Sequence, residues 1–518
     1  MQTNPSLSLS NPEVRHLSLI HKIALALVGV GVLILVNALF GGAQGMEAPM
    51  LYSMLALLGG GGLLYAFAEY GNKPAGIKNN GIWFFSESAR GTIGWVMGVI
   101  ITVFYISLYW FPEWLGYAAD GNHTGLVSLF NPLSYALKGA PASQWFVYGT
   151  FYTLAILTMG AKFIWKYRHN RYQIIRTSSV MFFQLGFAFL IPEILEGLNP
   201  DQGYFGKDLK NMWPLDYDMF YDWHLRNLLD GGGLGLSMLI WGVALIFLVS
   251  PILTYFFGKR WYCSWVCGCG GLAETAGDPY RHLSDKSLKA WKIERWVIHS
   301  VLILSVWMTV AVLFTFYQNN QGTEFWLSKD LFIWGTVAIM MTGAALLFFF
   351  RKRFTHIAND LRYLIIGLLV ATGGIVAINF LSSESHILFI DSYKLREWYG
   401  FFIGATFSGV VGVGFYPLMG SRVWCRFGCP MAAILGLQQR FFSRFRITTN
   451  GGQCISCGNC STYCEMGIDV RSYAQKGQNV VRASCVGCGI CAAVCPRGVL
   501  KLENGPNTDE TRMDEVRF

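Results

Sequence analysis

Thirteen cysteines carry the chemistry this sequence offers, and all of them lie from Cys263 onward. Eight form two copies of one spacing, Cys454-Ile-Ser-Cys457-Gly-Asn-Cys460-Ser-Thr-Tyr-Cys464 and Cys485-Val-Gly-Cys488-Gly-Ile-Cys491-Ala-Ala-Val-Cys495-Pro496. In a C-x2-C-x2-C-x3-C run, three thiolates wrap a loop around one 4Fe-4S cubane while the fourth points to a neighbouring cluster. The spacing therefore predicts one cluster on Cys454, Cys457, Cys460 and Cys495, and a second on Cys464, Cys485, Cys488 and Cys491. Gly458 and Gly489 each follow the second cysteine, where a missing side chain lets the backbone approach a sulfide and donate a hydrogen bond. Paired CxxC groups also make tetrahedral zinc sites, but four cysteines at this spacing, occurring twice, favour iron and sulfide. Glu465 follows the first run where Pro496 follows the second. That difference is expected to loosen the turn and shift the potential of the cluster there.

The other five thiols sit where apolar segments end. Gly258-Lys-Arg-Trp-Tyr-Cys263-Ser-Trp-Val-Cys267 aligns in register with Gly420-Ser-Arg-Val-Trp-Cys425-Arg-Phe-Gly-Cys429. A C-x3-C spacing on a helix puts both thiols near one face, so the two pairs could converge on a third centre. Cys269, in Cys267-Gly-Cys269, would be a fifth thiol there. Taken alone, a C-x3-C pair fits structural or redox-active thiols equally well. Thiolate ligands suit a reducing compartment, where disulfides do not persist, so the topology should hold every cysteine on the cytoplasmic side.

The elements that must position these thiols are membrane helices. With 53% hydrophobic and 14% charged residues and a mean hydropathy of +0.39, a soluble globular class is excluded. Apolar runs of about 20 residues, the length that spans a bilayer, recur at Ile23–Phe40, Met50–Tyr70, Thr92–Phe111, Trp145–Ile164 and Ser178–Ile194. Five more follow at Leu234–Phe257, Trp296–Phe316, Leu331–Phe350, Leu361–Phe380 and Phe401–Met419. These predict an all-α polytopic membrane protein of about ten transmembrane helices, ending in a small α+β domain. His21 and Lys22 before the first run, with Gly41–Ala43 after it, resemble a secretory signal, but the length favours a retained anchor. The expected organisation is a five-span region over 1–233, a second five-span region over 234–430, an interfacial helix over 431–446, a two-cluster domain over 447–503 and a polar tail over 504–518.

Short loops rich in Lys and Arg stay on the cytoplasmic side. Lys73, Lys78 and Arg90 follow the second run, and Lys162, Lys166, Arg168, Arg171 and Arg176 follow the fourth. Lys259, Arg260, Arg281, Lys286, Lys289, Lys292 and Arg295 surround Cys263, Arg351 to Arg353 follow the eighth run, and Arg422 and Arg426 open the tail. Both termini and all cysteines thus fall inside. The net charge of +9 reads as loops facing anionic headgroups, with no nucleic-acid partner expected. The opposite segment, Asp201–Asp230, carries Asp208, Asp216, Asp218 and Asp222 among Trp213, Tyr217, Tyr221 and Trp223, the composition of an external interfacial belt or, less often, a docking surface. Polar groups near the spans are His21, Glu69, Gln184, Glu193, Glu196, His299 and His356. They are candidates for quinone or proton binding, although groups at span ends also snorkel to the headgroups, and haem is not expected.

In its second half the chain resembles the membrane polyferredoxins that accompany periplasmic nitrate and nitrous-oxide reductases, the NapH-like and NosR-like proteins. The resemblance rests on Cys263–Cys267, Cys425–Pro430 and Cys454–Pro496. It implies a bacterial inner-membrane protein with two cytoplasmic 4Fe-4S clusters in a bacterial-type ferredoxin domain. It also implies quinol-linked or reductase-linked electron transfer, with membrane lipid, quinol and a partner oxidoreductase or electron carrier as partners. Cys267-Gly268 departs from the Cys-Pro of the second copy, and no flavin-binding segment precedes the spans, so a nitrous-oxide-specific role is not expected. The competing readings are a redox factor for assembling another metalloenzyme and a membrane sensor with clusters as its switch.

Overall fold

A segment that spans lipid must satisfy each backbone N–H and C=O within itself, and the helix does this locally. The computed structural model describes residues 17–71, 92–199, 209–319, 328–352, 358–382, 386–387 and 389–505. Lys73, Lys78, Arg90, Asp201, Asp208, Arg353, His356 and the tail from 506 onward lie outside them. All ten expected runs are helical. Among the described residues, eight helices are long and apolar enough to cross a membrane: Leu19–Leu39, Glu47–Tyr70, Gln144–Lys166, Arg171–Leu198, Gly232–Phe257, Leu288–Asn319, Lys329–Lys352 and Leu361–Leu381. Gly94–Trp110 is a shorter apolar helix. The tenth run is irregular: a π-helical stretch, Gly400–Val411, leads through a turn to Tyr416–Met419. Its glycines admit aromatic rings, with the Tyr217 ring lying within 3.0 Å of where a Cβ on Gly404 would stand.

Local sequence explains the starts and irregularities. Ser18, Ser143, Asn170 and Ser328 each open a span by accepting an amide N–H, which satisfies one of the orphan donors of a first turn. Pro192 and Pro251 each follow a π-helical stretch, Gly186–Leu190 and Leu245–Val249. Proline has no N–H and its ring collides with the carbonyl one turn back, and a wider turn accommodates both defects.

The expected external belt is corrected over its described part. Met212 and Met219 are buried in the same core as Tyr262, Trp424 and Cys429. Trp213 Nε1 donates to Thr309 Oγ1 at 2.8 Å, within the helix Leu288–Asn319, and Asp218 pairs with Arg396. The aromatics of 209–221 find partners inside the bundle rather than in headgroups, while Trp223 stays exposed.

Residues 446–505 form a small α+β unit. Strands Arg446–Thr449 and Leu500–Glu503 pair antiparallel, Arg446 opposite Glu503 and Thr449 opposite Leu500, so the two ends of the unit meet. Both cysteine loops lie between them. The segment expected as an interfacial helix over 431–446 is helical only over Pro430–Phe442. Its residues Met431, Ala432, Ala433, Leu435 and Phe441 are buried, so it packs within the protein. Phe445 then turns under the Arg260 guanidinium, 4.5 Å from its ring centre, and Arg446 begins the strand.

Replacing Met212 by Ala should destabilise the protein by about 2–5 kcal/mol, read as a lower Tm in detergent, because the side chain is 1% exposed. Phe389→Ala, at a side chain 95% exposed, should leave Tm unchanged.

Candidate metal centres

In the C-terminal unit the two cysteine loops exchange their last members. Cys454, Cys457, Cys460 and Cys495 line one small cavity with Gly458 and Pro496. Cys491 feels Cys488, Cys485 and Cys464 most strongly among the thiols, with Cys460 of the other group the weakest of its thiol neighbours. Gly458 and Gly489 adopt φ of +81° and +75°, the left-handed conformation that lets each loop curl. At Gly489 a Cβ would stand 2.8 Å from the Tyr172 ring, so this glycine is also required by packing. Among the described residues, three thiols are nowhere gathered within 4.8 Å of one another. Zinc–thiolate bonds of about 2.3 Å would draw the sulfurs to on the order of 3.8 Å. Four thiols per site, spread more widely than a single tetrahedral ion demands, fit a cubane. Burial pushes the Cys464 thiol up to about 11 and the Cys488 thiol up to about 12, so metal binding must displace their protons.

The membrane-edge thiols converge as well. Cys263, Cys267, Cys425 and Cys429 are buried in one core, close enough that charge on Cys425, Cys263 or Cys267 opposes ionisation of Cys429. The two C-x3-C pairs do not sit on continuous helices, contrary to the simplest expectation. Arg260–Cys263 is a single turn that stops before Cys267, and the π-helical Trp424–Gly428 stops before Cys429. Cys267 and Cys429 instead stand as the caps of the next helices, Gly268–Thr275 and Pro430–Phe442, whose amide ends favour anionic sulfur. Ala432 N–H points at Cys429 Sγ from 3.4 Å. Arg422 reaches Cys425 Sγ at 3.5 Å and donates to the Cys263 carbonyl at 3.1 Å.

A buried ionic seam joins this core to the C-terminal unit. Glu465 forms ion pairs with Arg281 at 2.7 Å and with Arg422 at 3.1 Å, and Glu274 pairs with Arg422 and Arg176. Arg281 also holds Asp278 at 2.9 Å, which Lys166 contacts at 2.5 Å. The arginine and lysine partners hold the Asp278 carboxyl well below the usual carboxylate range despite its burial. Glu465 therefore does not loosen its turn. It is 1% exposed and anchored by two guanidinium groups, and Ser284 Oγ donates to its carbonyl at 2.7 Å. Tyr172 OH donates to the Gly487 carbonyl at 2.7 Å and Gln173 Nε2 to the Cys488 carbonyl at 2.9 Å. Arg176, Glu274 and Asp278 were not singled out as site residues from the sequence. The available signal was ionisable residues in short segments flanked by apolar ones.

On the other side of the membrane-edge thiols lies a cavity of about 870 Å³. Its floor is Cys267, Gly268 and Cys269, its walls include Tyr148, Tyr152 and Tyr217, and its rim holds His123, Lys138, Glu193 and Glu196. Gln184 and Lys210 reach toward the floor, and Gln184 donates to Thr153 at 3.2 Å. Lys138 bridges Glu193 at 3.1 Å and Glu196 at 3.5 Å. The remaining polar candidates lie elsewhere: His21 pairs with Glu69 at 3.4 Å, and His299 contacts the Arg295 carbonyl of its own helix at 2.5 Å.

Residues 453–500 match the family model of the 4Fe-4S dicluster domain. This unit is a 4Fe-4S ferredoxin domain. A second family model, the 4Fe-4S binding domain, matches twice, at 239–288 and 400–448. Those two matches contain the repeated membrane-edge thiol pairs. The chain is also similar to YccM of Escherichia coli (strain K12), a protein named for a proposed role in electron transport. The two are 23% identical over 232 residues, 45% of this chain and 48% of YccM. The chain thus spans about half the length of the curated relative it matches. No solved structure matches. The protein therefore combines 4Fe-4S ferredoxin domains in its C-terminal half with a bundle of helices long and apolar enough to cross a membrane.

Cys457→Ser and Cys488→Ser should each lower the iron content by about four atoms per chain and remove one cluster signal. Unchanged iron in either would refute the ligand assignment. Acidification should release iron, because protons compete with metal for thiols that ionise late.

Proposed function

We propose that the protein passes single electrons between a membrane quinol or a cytoplasmic donor and a partner oxidoreductase. One ferredoxin cluster is held by Cys454, Cys457, Cys460 and Cys495, the other by Cys464, Cys485, Cys488 and Cys491. A third centre is held by Cys263, Cys267, Cys425 and Cys429, with Cys269 beside it at the cavity floor. The observation that carries this reading is the unbroken succession of cavity, membrane-edge thiols, ionic seam and Cys488. The seam arginine Arg422 touches both Cys425 and Glu465. The clusters supply one-electron transfer when bound. The chain's own residues bury the membrane-edge thiols Cys263, Cys267, Cys425 and Cys429 and leave Cys267 and Cys269 lining the cavity.

The cavity suits a quinol headgroup because aromatic walls offer stacking while Gln184, Lys210 and the tyrosines offer partners for ring oxygens. The positive loops favour the cytoplasmic membrane of a bacterium with both termini inside, and reporter fusions at Lys289 and at the C-terminus should both read as cytoplasmic. The proposed role of YccM supports electron transport as the general function. The second reading is electron supply for assembling another metalloenzyme, and it uses the same centres.

Purified protein should contain about twelve iron atoms per chain if the third centre is a cubane and about eight if it is not. Cys425→Ser should lose the third centre while both ferredoxin signals persist. Added quinol should reduce the clusters of the membrane-embedded protein. An absence of reduction by quinol, together with metal loss from a partner enzyme in a deletion strain, would favour the assembly role.

A further inference from the structure

Cys488 is the thiol through which the ferredoxin domain meets the seam. Its sulfur and a carboxylate oxygen from each of Glu274 and Glu465 lie within 4.8 Å of one another. Three such groups resemble a small metal site, but both carboxylates are already engaged, Glu274 by Arg176 and Arg422 and Glu465 by Arg281 and Arg422. A cation there would have to displace guanidinium groups that have no other route to water, since Arg176, Arg281 and Arg422 are each at most 1% exposed. The arrangement is a fixed array of charges packed against one cluster ligand.

We propose that Glu465, held between Arg281 and Arg422, is a positioning residue that sets the reduction potential of the cluster on Cys464, Cys485, Cys488 and Cys491, with Arg176 acting in the opposite sense. This rests on the ligand assignment above. Reduction adds an electron to a centre that is already anionic through its four thiolates, so a nearby carboxylate opposes the added charge and a guanidinium favours it. Burial keeps these interactions strong, because Glu465, Arg176, Arg281 and Arg422 are each shielded from bulk solvent. The other cluster lies around Cys457, which is exposed, where solvent screens the same charges. One domain thus holds two centres with the same ligand set but different electrostatic settings. The residue responsible is the one that replaces proline after the first cysteine run.

The test is a redox titration of the full-length protein followed by EPR, with the two ferredoxin signals assigned by their loss in Cys457→Ser and Cys488→Ser. In Glu465→Gln the midpoint of the Cys488-linked cluster should rise while that of the Cys457-linked cluster stays within error. In Glu465→Asp it should return toward the wild-type value. In Arg176→Gln it should fall. If Glu465→Gln loses iron by misfolding, the fall in Arg176→Gln still decides the matter. Full iron content with an unmoved midpoint in Glu465→Gln or Arg176→Gln would overturn the role of the seam. If Cys488→Ser instead retained both signals, the ligand assignment itself would fail.

Discussion

The structure depends on a small set of buried ion pairs around Glu465. Burying a carboxylate or a guanidinium alone costs several kcal/mol, and such groups are tolerated only when their partners and hydrogen bonds are all supplied. Here the partners come from distant parts of the chain. Arg176 comes from the fifth expected run's helix, Glu274 and Arg281 from the segment after Cys263, Arg422 from the second thiol repeat, and Glu465 from the ferredoxin domain. No single element can be removed without leaving an unpaired charge in a dry site. The ferredoxin domain is consequently not a module on a flexible stalk. It is docked in one orientation, with Ser264, Gln173 and Gln439 fixing the Val486, Cys488 and Cys485 carbonyls.

The two membrane-edge repeats complete the same logic. Arg260 and Arg422 hold equivalent places in the repeat, and both extend to the C-terminal domain, Arg260 by stacking on Phe445 and bonding Asn504, Arg422 by pairing with Glu465. Gly258 and Gly420 both sit at positive φ, +67° and +98°, and so turn the chain sharply off its helix at matching points. A duplicated sequence thus yields paired contacts from two sides onto one domain.

Much of this was legible in the residues. The ferredoxin spacing, the apolar runs and the repeat of Cys263–Cys267 in Cys425–Cys429 each follow a periodicity that local physics enforces. What was not legible depended on tertiary context. The tyrosines and Trp213 of 209–221 have the composition of a headgroup belt, and only their partners, such as Thr309, show them folded inward. Glu465 reads locally as a missing proline, whereas its role comes from two arginines far away in the chain. The tenth run has the composition of a span, but its glycines serve ring packing and its helix is π-helical. The large cavity has no signature at all, since its lining is gathered from six or more separated segments.

The separation of the two thiol pairs along the chain has a consequence for biogenesis. Cys263 and Cys267 leave the ribosome well before Cys425 and Cys429, with Leu288–Asn319, Lys329–Lys352 and Leu361–Leu381 still to be inserted. Until the last segments enter the bilayer, the first pair has no partner to share a metal with, and the ionic seam lacks Arg422 and Glu465. Membrane insertion must therefore precede assembly of the shared centre proposed above, and any cell making this protein has to keep a nascent dithiol reduced for the time that synthesis of the remaining spans requires.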